Sequence, residues 1–474
     1  MSLGKIDITA TLKQVEQTLR EDHSLSPSLR SLLELLVVVI QLLAAKLALN
    51  STNSSIPPSQ DPHRARGSKR QTTRQRKPGG QNGHHGSTLK PLPPDRIETL
   101  QIDRRTLPKG SYRSAGFETR QVIDIEVCRC VTEYRAEILV DAEGKQFVAE
   151  FPPGLTRPVQ YGHSVKTQAV YLSQQQLIPY ERIRDYFADQ CGIPLSTGSL
   201  FNFNREAFER LETFEAALKQ QLLNEPLLNA DETGVNINGA RLWLHCLVSP
   251  AWTLFYPHPN RGAQAMTDMG VLPHFTGTLC HDHWKPYFQF DCAHALCNAH
   301  HLRELQRAWE QDAQQWAKKM HTLLIEINTA TTEAGGRLSD ETALALRRRY
   351  RNLLTRAERE CPPADPTEHP ARRGPMAQSK ARNLLERLRN FEAETLRFMT
   401  DPHVPFTNNL GENDLRMTKV QQKISGCFRS FEGAQFFCRI RSYLSTCRKH
   451  NLTPTEALNS LFSGRLPDFI PQVE

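Results

Sequence analysis

The chain has 474 residues, of which 39% are hydrophobic and 23% charged; these values are ordinary for a soluble globular protein of two to four domains. Its 11 cysteines are odd in number and form no C-x-x-C pair, which excludes a disulfide scaffold or a simple zinc knuckle and favours a reducing cytosol. The net charge of +8 indicates a polyanionic partner, and residues 62–94, with eight Lys/Arg and no Asp/Glu, account for all of it.

The N-terminal region, residues 1–55, is predicted to be helical. Its start, "MSLGKIDITA", lacks the pattern of a signal peptide. Residues 31–50 are apolar enough to suggest a membrane span, but Glu34, Gln41 and Lys46 interrupt the run at a high energetic cost. We therefore expect no membrane partner and a buried or oligomerising helix, with residues 28–50 as the candidate interface.

Residues 56–95 form a basic arm rich in Pro, Gly and Ser, a composition that cannot bury a core. The alternatives are a solvated tether and a segment that lies along a nucleic-acid backbone, and the density of cations favours the second. The cations that carry this interpretation are Arg64, Arg66, Lys69, Arg70, Arg74, Arg76 and Lys77.

Two small regions follow the arm. Residues 96–155 are predicted to be a β module, with strands in "FETRQVIDIEV" and "VTEYRAEILV" and a turn at Gly144. Residues 156–225 are predicted to be helical, with one helix from about Pro179, a break at Gly192 and a second helix capped by Ser196. This outline is typical of a DNA-binding helix-turn-helix, although many helical hairpins that only pack share it.

Closely spaced strands are predicted over residues 226–310. They lie in "LLNADETGVNI", "RLWLHCLVS", "WTLFYPHP" and "GTLCHD", with a fifth in "HALCNAH", and an Asn-Gly turn joins the first two. Residues 311–390 are predicted to be helical, and residues 391–450 hold a helix that starts near Thr407 or Asn408. A C-terminal helix and tail occupy residues 451–474.

Three carboxylates fall at positions that such a fold can bring together. Asp231 and Asp282 each stand at the end of a strand, and Glu412 stands in the first turns of a helix. Three converging carboxylates can hold two Mg²⁺ ions that act on a phosphodiester. Each position taken singly also fits a turn former, a helix cap or a surface ion pair, so only their joint order favours metal-dependent phosphoryl transfer.

Several motifs in order make the chain similar to bacterial insertion-sequence transposases of the DDE class, in the IS66 family. They are "NSSIPPSQD", "RKPGGQNGHHGSTL", "LNADETG", "HDHWKPY", "ALCNAHHLREL" and "NNLGENDLRMTKVQQKISGCFRS". The resemblance extends over roughly residues 30 to 460. It implies an α/β fold with a ribonuclease H-like core, a mixed five-stranded sheet interrupted by a helical insertion at residues 311–390.

The resemblance also implies an activity: cleavage at the ends of the element and transfer of the freed 3′-hydroxyl into target DNA. Asp231, Asp282 and Glu412 would be catalytic and would bind Mg²⁺, or Mn²⁺ in its place. The implied partners are double-stranded DNA, further copies of the chain and accessory proteins of the same element, in the bacterial cytoplasm and at the nucleoid. The alternatives are a structure-selective nuclease without strand transfer and an inactive DNA-binding relative.

Further residues are expected around the three carboxylates. The cations expected to steady the DNA backbone are Lys285, Arg416, Lys419, Lys423 and Arg429. The residues expected to support the site are Trp284, Tyr287, Cys297, His300, Asn408 and Asn409. Glu232 is expected to face away from Asp231, because adjacent side chains of a strand point to opposite faces.

Two features bear on whether the chain holds a zinc ion. Many relatives carry four cysteines after the basic arm, whereas this chain has none at the comparable places, so the β module is expected to be free of metal. Seven His and Cys residues also fall within positions 281–301. Strand alternation scatters them over both faces of the sheet, which argues against a structural zinc and favours Cys297 and His300 as buried support near the site.

Overall fold

The computed structural model describes residues 2–3, 6–21, 26–47, 89–364 and 378–471. The strands are β1 (Ser2–Leu3), β2 (Ile6–Asp7), β3 (Ile138–Val140), β4 (Gln146–Val148), β5 (Leu227–Ile237), β6 (Ala240–Val248), β7 (Thr253–His258), β8 (Thr278–His281) and β9 (Ala293–Leu296). The helices are α1 (Ile8–Glu21), α2 (Pro27–Leu47), α3 (His163–Val170), α4 (Tyr180–Cys191), α5 (Thr197–Arg210), α6 (Glu212–Leu223), α7 (Ala263–Asp268), α8 (Asn298–Glu310), α9 (Gln315–Glu333), α10 (Asp340–Glu360), α11 (Lys380–Asn390), α12 (Glu392–Leu396), α13 (Asn409–Ser425), α14 (Phe431–Lys449) and α15 (Pro454–Phe462).

A mixed five-stranded sheet organises the structure, in the order β7-β6-β5-β8-β9. Asn238 and Gly239 have φ of 49° and 85°, the left-handed pair that a tight hairpin between β5 and β6 requires. β6 and β7 continue this antiparallel half, whereas β8 and β9 run parallel to β5. The five predicted strands and the mixed α/β class are therefore confirmed.

The largest hydrophobic core joins the sheet to the helices that precede it and to helices near the C-terminus. Leu200 and Phe214, from α5 and α6, share it with Leu254 of β7 and with Phe436 and Tyr443 of α14. The region predicted to be helix-turn-helix-like thus packs into the same core as the sheet. Its role in DNA binding stays a prediction.

Local signals placed the boundaries of α4 and α5 correctly. Gly192 ends α4 with a φ of 61°, and the Ser196 side chain accepts a hydrogen bond from the backbone N–H of Ser199 at the start of α5. A left-handed glycine and a serine cap satisfy backbone groups that helix ends leave unpaired.

A second core lies within the helices that follow β9. Trp316 and Met320 of α9 pack with Tyr350 of α10 and Leu385 of α11. The polar face of these helices carries many of the ion pairs, such as Arg349 with Glu326. The segment is helical as predicted, and its status as an insertion stays a prediction.

The third core fastens α13 and α14 to the antiparallel half of the sheet. Leu415 of α13 and Phe437 of α14 pack with Val235 and Leu244, on β5 and β6. This packing lays α13 along β5 and brings the first turn of the helix close to the middle of that strand.

The β module differs from its prediction. The chain has no regular secondary structure over residues 117–127, and Val122 and Ile125 there are 92% and 84% exposed. Only β3 and β4 pair, around a turn in which Gly144 has a φ of 84°. The strands expected in "FETRQVIDIEV" and in the first part of "VTEYRAEILV" were wrong, because alternation creates a face to bury but supplies no neighbouring strand.

The N-terminal helices α1 and α2 form a hairpin. In the part of the chain that the structure describes, no helix is long and apolar enough to cross a membrane. Leu32, Leu35, Leu36 and Val39 of α2 are exposed and recur at helical spacing, as an interface helix would require. The seven cations of the basic arm lie outside the described residues.

Candidate active site

Asp231 and Asp282 lie on neighbouring parallel strands. The register of β5 and β8 pairs Asn229 with Cys280, and continuing it by two residues on each strand brings Asp231 level with Asp282. Adjacent strands are about 4.8 Å apart, so both carboxylates lie beside the C-terminal end of β8. The strand end expected at Asp231 was wrong, because pairing with β6 continues β5 to Ile237. Each is partly buried.

Glu412 approaches Asp231 from the first turn of α13. Gly411 lies so close to β5 that a Cβ at this position would be 3.6 Å from the Cβ of Asp231. That distance is an ordinary van der Waals contact, so the start of α13 packs directly on β5. Glu412 Oε1 is buried without a hydrogen-bond partner, and its ion-pair contact with Arg303 is long, at 3.9 Å.

The electrostatics of the two aspartates reflect their burial among other carboxylates. Burial raises the pKa of Asp231 to about 8, and the nearby carboxylates of Glu232, Asp282 and Glu412 add to that effect. Burial, followed by the charge of Glu232, also raises the pKa of Asp282 to about 6. Groups with strongly raised pKa values that lie close together are typical of functional sites.

Asn408 ties the start of α13 to the sheet. Its Oδ1 accepts a hydrogen bond from Asn229 Nδ2, and its Nδ2 donates to the carbonyl of Ala230, both at 2.8 Å. Its backbone N–H donates to Cys297 Sγ at 3.1 Å. Asn408, which was expected to support the site, is therefore buried and joins three partners by hydrogen bonds. The neighbouring Asn409 is exposed.

Glu232 leads to a residue that sequence reasoning missed. Its side chain is only 2% exposed and accepts hydrogen bonds from both Arg261 Nε and Nη2, at 2.9 and 2.7 Å, and from the Tyr287 hydroxyl at 2.6 Å. Arg261 in turn lies 3.7 Å above the ring of Trp284, whose backbone N–H donates to Asp282 Oδ1. Glu232 thus braces the loop that carries Asp282.

The supporting roles expected of Trp284 and Tyr287 agree with this geometry, but nothing in the local sequence marks Arg261. It lies in a loop before α7, 29 residues from its partner Glu232. A buried carboxylate needs a cationic partner. The one available signal was therefore that Glu232, if buried, would require a cation somewhere in the chain.

Cys297, His300 and Glu412 converge at the junction of α8 and α13. Among the described residues, they are the group of three potential metal ligands in which every ligand atom lies within 4.8 Å of the others. In those same residues, Asp231 and Asp282 belong to no such group. Glu412 therefore lies between two sets of side chains, the aspartates on the sheet and the Cys-His pair on α8.

The predicted DNA-contacting cations divide by location. Arg416, Lys419 and Lys423 are exposed on α13 and follow Glu412 at helical spacing. Lys285 and Arg429 are also exposed, in the loops after β8 and after α13. In the part of the chain described here, none of the five has a carboxylate within 4 Å; Lys419 Nζ donates instead to the carbonyl of Gly234.

Comparison with known families accounts for most of the chain. The profile of the transposase IS66 family matches residues 158–436, which include the sheet, all three carboxylates and the cations of α13. A family of unknown function, DUF6444, matches residues 7–90, and no curated protein was found to match. Because the first match spans more than half of its length, the chain belongs to the IS66 family of transposases.

Proposed function

We propose that the chain is a divalent-metal-dependent DDE transposase that cuts DNA at the ends of an insertion element and joins the freed 3′-hydroxyl to target DNA. Its sheet and flanking helices would form a ribonuclease H-like core. The observation that carries the proposal is that Asp231 and Asp282 lie level on adjacent strands and that the first turn of α13 packs on Asp231, close enough for Glu412 to affect its pKa.

The three carboxylates suit Mg²⁺ or Mn²⁺ in their chemistry. All donors are oxygen atoms, which these hard cations prefer, and Glu412 Oε1 is buried without a partner. The raised pKa values of Asp231 and Asp282 mean that ionising them is costly unless a cation is present. A bound divalent cation would supply Lewis-acid stabilisation of the charge that develops on the phosphate.

The remaining residues would hold these groups and the DNA in place. Glu232 and Arg261 fix the loop of Asp282, and Asn408 fixes the start of α13. Among the described residues the cations of α13 form no ion pair within 4 Å, and they are exposed and so available for phosphates. In cleavage, water attacks the phosphorus and leaves a 3′-hydroxyl on the element; in joining, that hydroxyl attacks a target phosphodiester and releases a new 3′-hydroxyl.

The test is a strand-transfer assay with Mg²⁺, the full chain and DNA that carries the inverted repeats flanking the gene. Joined product supports the proposal. Cut product without joining would indicate a nuclease, and a mobility shift alone would indicate a DNA-binding relative, so either result would overturn it.

Variants test the residues separately from the reaction. We expect Asp282→Asn to lower cleavage at least about 100-fold, as loss of a group that stabilises transition-state charge does. Asp291→Asn, at an exposed carboxylate nine positions further along the chain, serves as the matched control and should cleave normally. Full cleavage by Asp282→Asn would overturn the metal-site assignment.

A further inference from the structure

A cluster of metal-ligating side chains lies beside the carboxylates of the sheet and is chemically different from them. It contains a thiol, an imidazole and a carboxylate, from Cys297, His300 and Glu412, with all ligand atoms within 4.8 Å of one another. We propose that these three residues bind a thiophilic divalent cation of the Zn²⁺ class, at a site that shares only Glu412 with the proposed Mg²⁺ set.

The backbone positions the three ligands from two helix starts. Cys297 immediately precedes α8 and His300 lies in its first turn, while Glu412 lies in the first turn of α13. The hydrogen bond from the Asn408 N–H to Cys297 Sγ joins the two helix starts directly. The ligands are therefore held by rigid elements that are fastened to each other.

Two of the three side chains have unmet bonding capacity in the protein interior. Glu412 Oε1 and His300 Nδ1 are both buried without a hydrogen-bond partner. Unpaired buried polar atoms are rare and costly, and a cation that accepts their lone pairs would satisfy both.

The donor set selects the metal. Thiolate and imidazole suit Zn²⁺, whereas Mg²⁺ prefers oxygen donors. Bond lengths of about 2.0–2.3 Å place the ligand atoms of a tetrahedral zinc site about 3.5 Å apart, so small side-chain rotations would close the site and leave its fourth position to water. Arg303, 3.9 Å from Glu412 Oε1, has a side chain that is 50% exposed, so it can move aside.

A cation at this site would affect the DNA cleavage reaction. This effect rests on the proposed function. Glu412 would be shared by the aspartates and the Cys-His pair, and Zn²⁺ bound through Oε1 would neutralise part of its charge and fix its orientation towards the Cys-His pair. Zn²⁺ at the Cys-His pair would therefore draw Glu412 from the Mg²⁺ set and inhibit the reaction.

Binding is tested with Co²⁺, whose bond to a thiolate produces an intense near-ultraviolet absorption band. The reference is the full chain with Cys128→Ser and Cys130→Ser, because these two thiols are exposed and would bind Co²⁺ themselves. We expect the band to saturate near one Co²⁺ per chain and to disappear when Zn²⁺ is added.

Variants of this reference assign the band. Adding Cys297→Ser or His300→Ala should remove or strongly weaken it, whereas adding Cys292→Ser, at a partly buried thiol outside the group, should leave it intact. Thermal unfolding of each variant checks that it is folded. A folded reference chain without the band, or a band that survives Cys297→Ser, would overturn the proposal.

The inhibitory step has a separate readout: the ratio of DNA cleavage in Mg²⁺ with and without micromolar Zn²⁺, measured for each variant against its own activity. We expect the reference chain to lose at least about tenfold and Cys297→Ser to lose much less. Equal inhibition of both would overturn the competition for Glu412. If the chain cleaves no DNA at all, the proposed function fails while the Co²⁺ band still decides the metal site.

Discussion

At the scale of single residues, Glu232 shows how a carboxylate beside the candidate site acts through its partners. Arg261 and Tyr287 both donate to it, and its side chain is 2% exposed while that of Arg261 is 33% exposed. We expect Glu232→Gln to lower the free energy of unfolding by about 1–3 kcal/mol, less than for a fully buried pair because Arg261 reaches solvent. Urea denaturation measures the loss.

A matched control for Glu232 exists on α14. Glu432 pairs with Arg205, and their side chains are 47% and 43% exposed. An exposed pair contributes little, so Glu432→Gln should cost less than about 0.5 kcal/mol. Similar losses in the two variants would show that Glu232 is not a bracing residue.

His245 on β6 predicts a pH dependence of stability. The residue is 1% exposed, and burial lowers the pKa of its imidazole to about 4. The unfolded chain therefore binds a proton at higher pH than the folded chain does, and stability is lost as the pH falls from about 6.5 towards 4.

The size of that loss can be measured by urea denaturation at two pH values. Between about pH 7.5 and pH 5 the His245 contribution is about 2 kcal/mol. His245→Gln should show a correspondingly smaller pH dependence than the unmodified chain, while His403→Gln, at an exposed histidine, should show an unchanged one. An equal pH dependence in all three proteins would contradict the assignment.

At the scale of the element, α13 owes its position to Asn408. This side chain is 2% exposed and joins Asn229 and Ala230 of β5. Asn408→Ala leaves a donor and an acceptor buried and unpaired, so we expect it to cost about 2–4 kcal/mol.

The neighbouring residue supplies the comparison. Asn409 is exposed, and Asn409→Ala should change the unfolding free energy by less than about 0.5 kcal/mol. Thermal or urea unfolding of both variants gives the difference. If Asn409→Ala were as costly as Asn408→Ala, the loss would not be specific to the hydrogen bonds of Asn408, and the assignment would be wrong.

At the scale of the whole molecule, the position of charge is expected to matter more than its total. Replacing Arg416, Lys419 and Lys423 of α13 with Gln lowers the net charge from +8 to +5, since three cations are removed. Each lost phosphate contact reduces the slope of log affinity against log salt by about 0.9. We therefore expect the triple variant to flatten that slope by about 2–3, measured by fluorescence anisotropy on duplex DNA.

The control removes the same charge from a different surface. Lys319, Arg348 and Arg356 are exposed on α9 and α10, and their replacement with Gln also leaves a net charge of +5. Binding to DNA should keep its salt slope. Equal flattening in both triples would mean that net charge, and not the surface of α13, attracts the DNA.

Much of the element pattern could be predicted because it depends on neighbours along the chain. The Asn238-Gly239 turn set the β5–β6 hairpin, and Gly192 and Ser196 set the ends of α4 and α5. The same reasoning failed over residues 117–127. Alternation there has no adjacent strand to pair with, and pairing is a property of two segments.

The candidate site also contains residues that could be predicted from the sequence and residues that could not. The sequence by itself marked Asp231, Asp282 and the helix start at Glu412, because local periodicity and the order of motifs point to them. It did not place the end of β5, which pairing with β6 extends to Ile237. Only the tertiary structure decided that Arg261 holds Glu232, that Asn408 reaches a strand 179 residues away, and that Cys297 and His300 meet Glu412. These contacts join distant segments, so they follow from the packing of whole elements and leave no signal in any one stretch of chain.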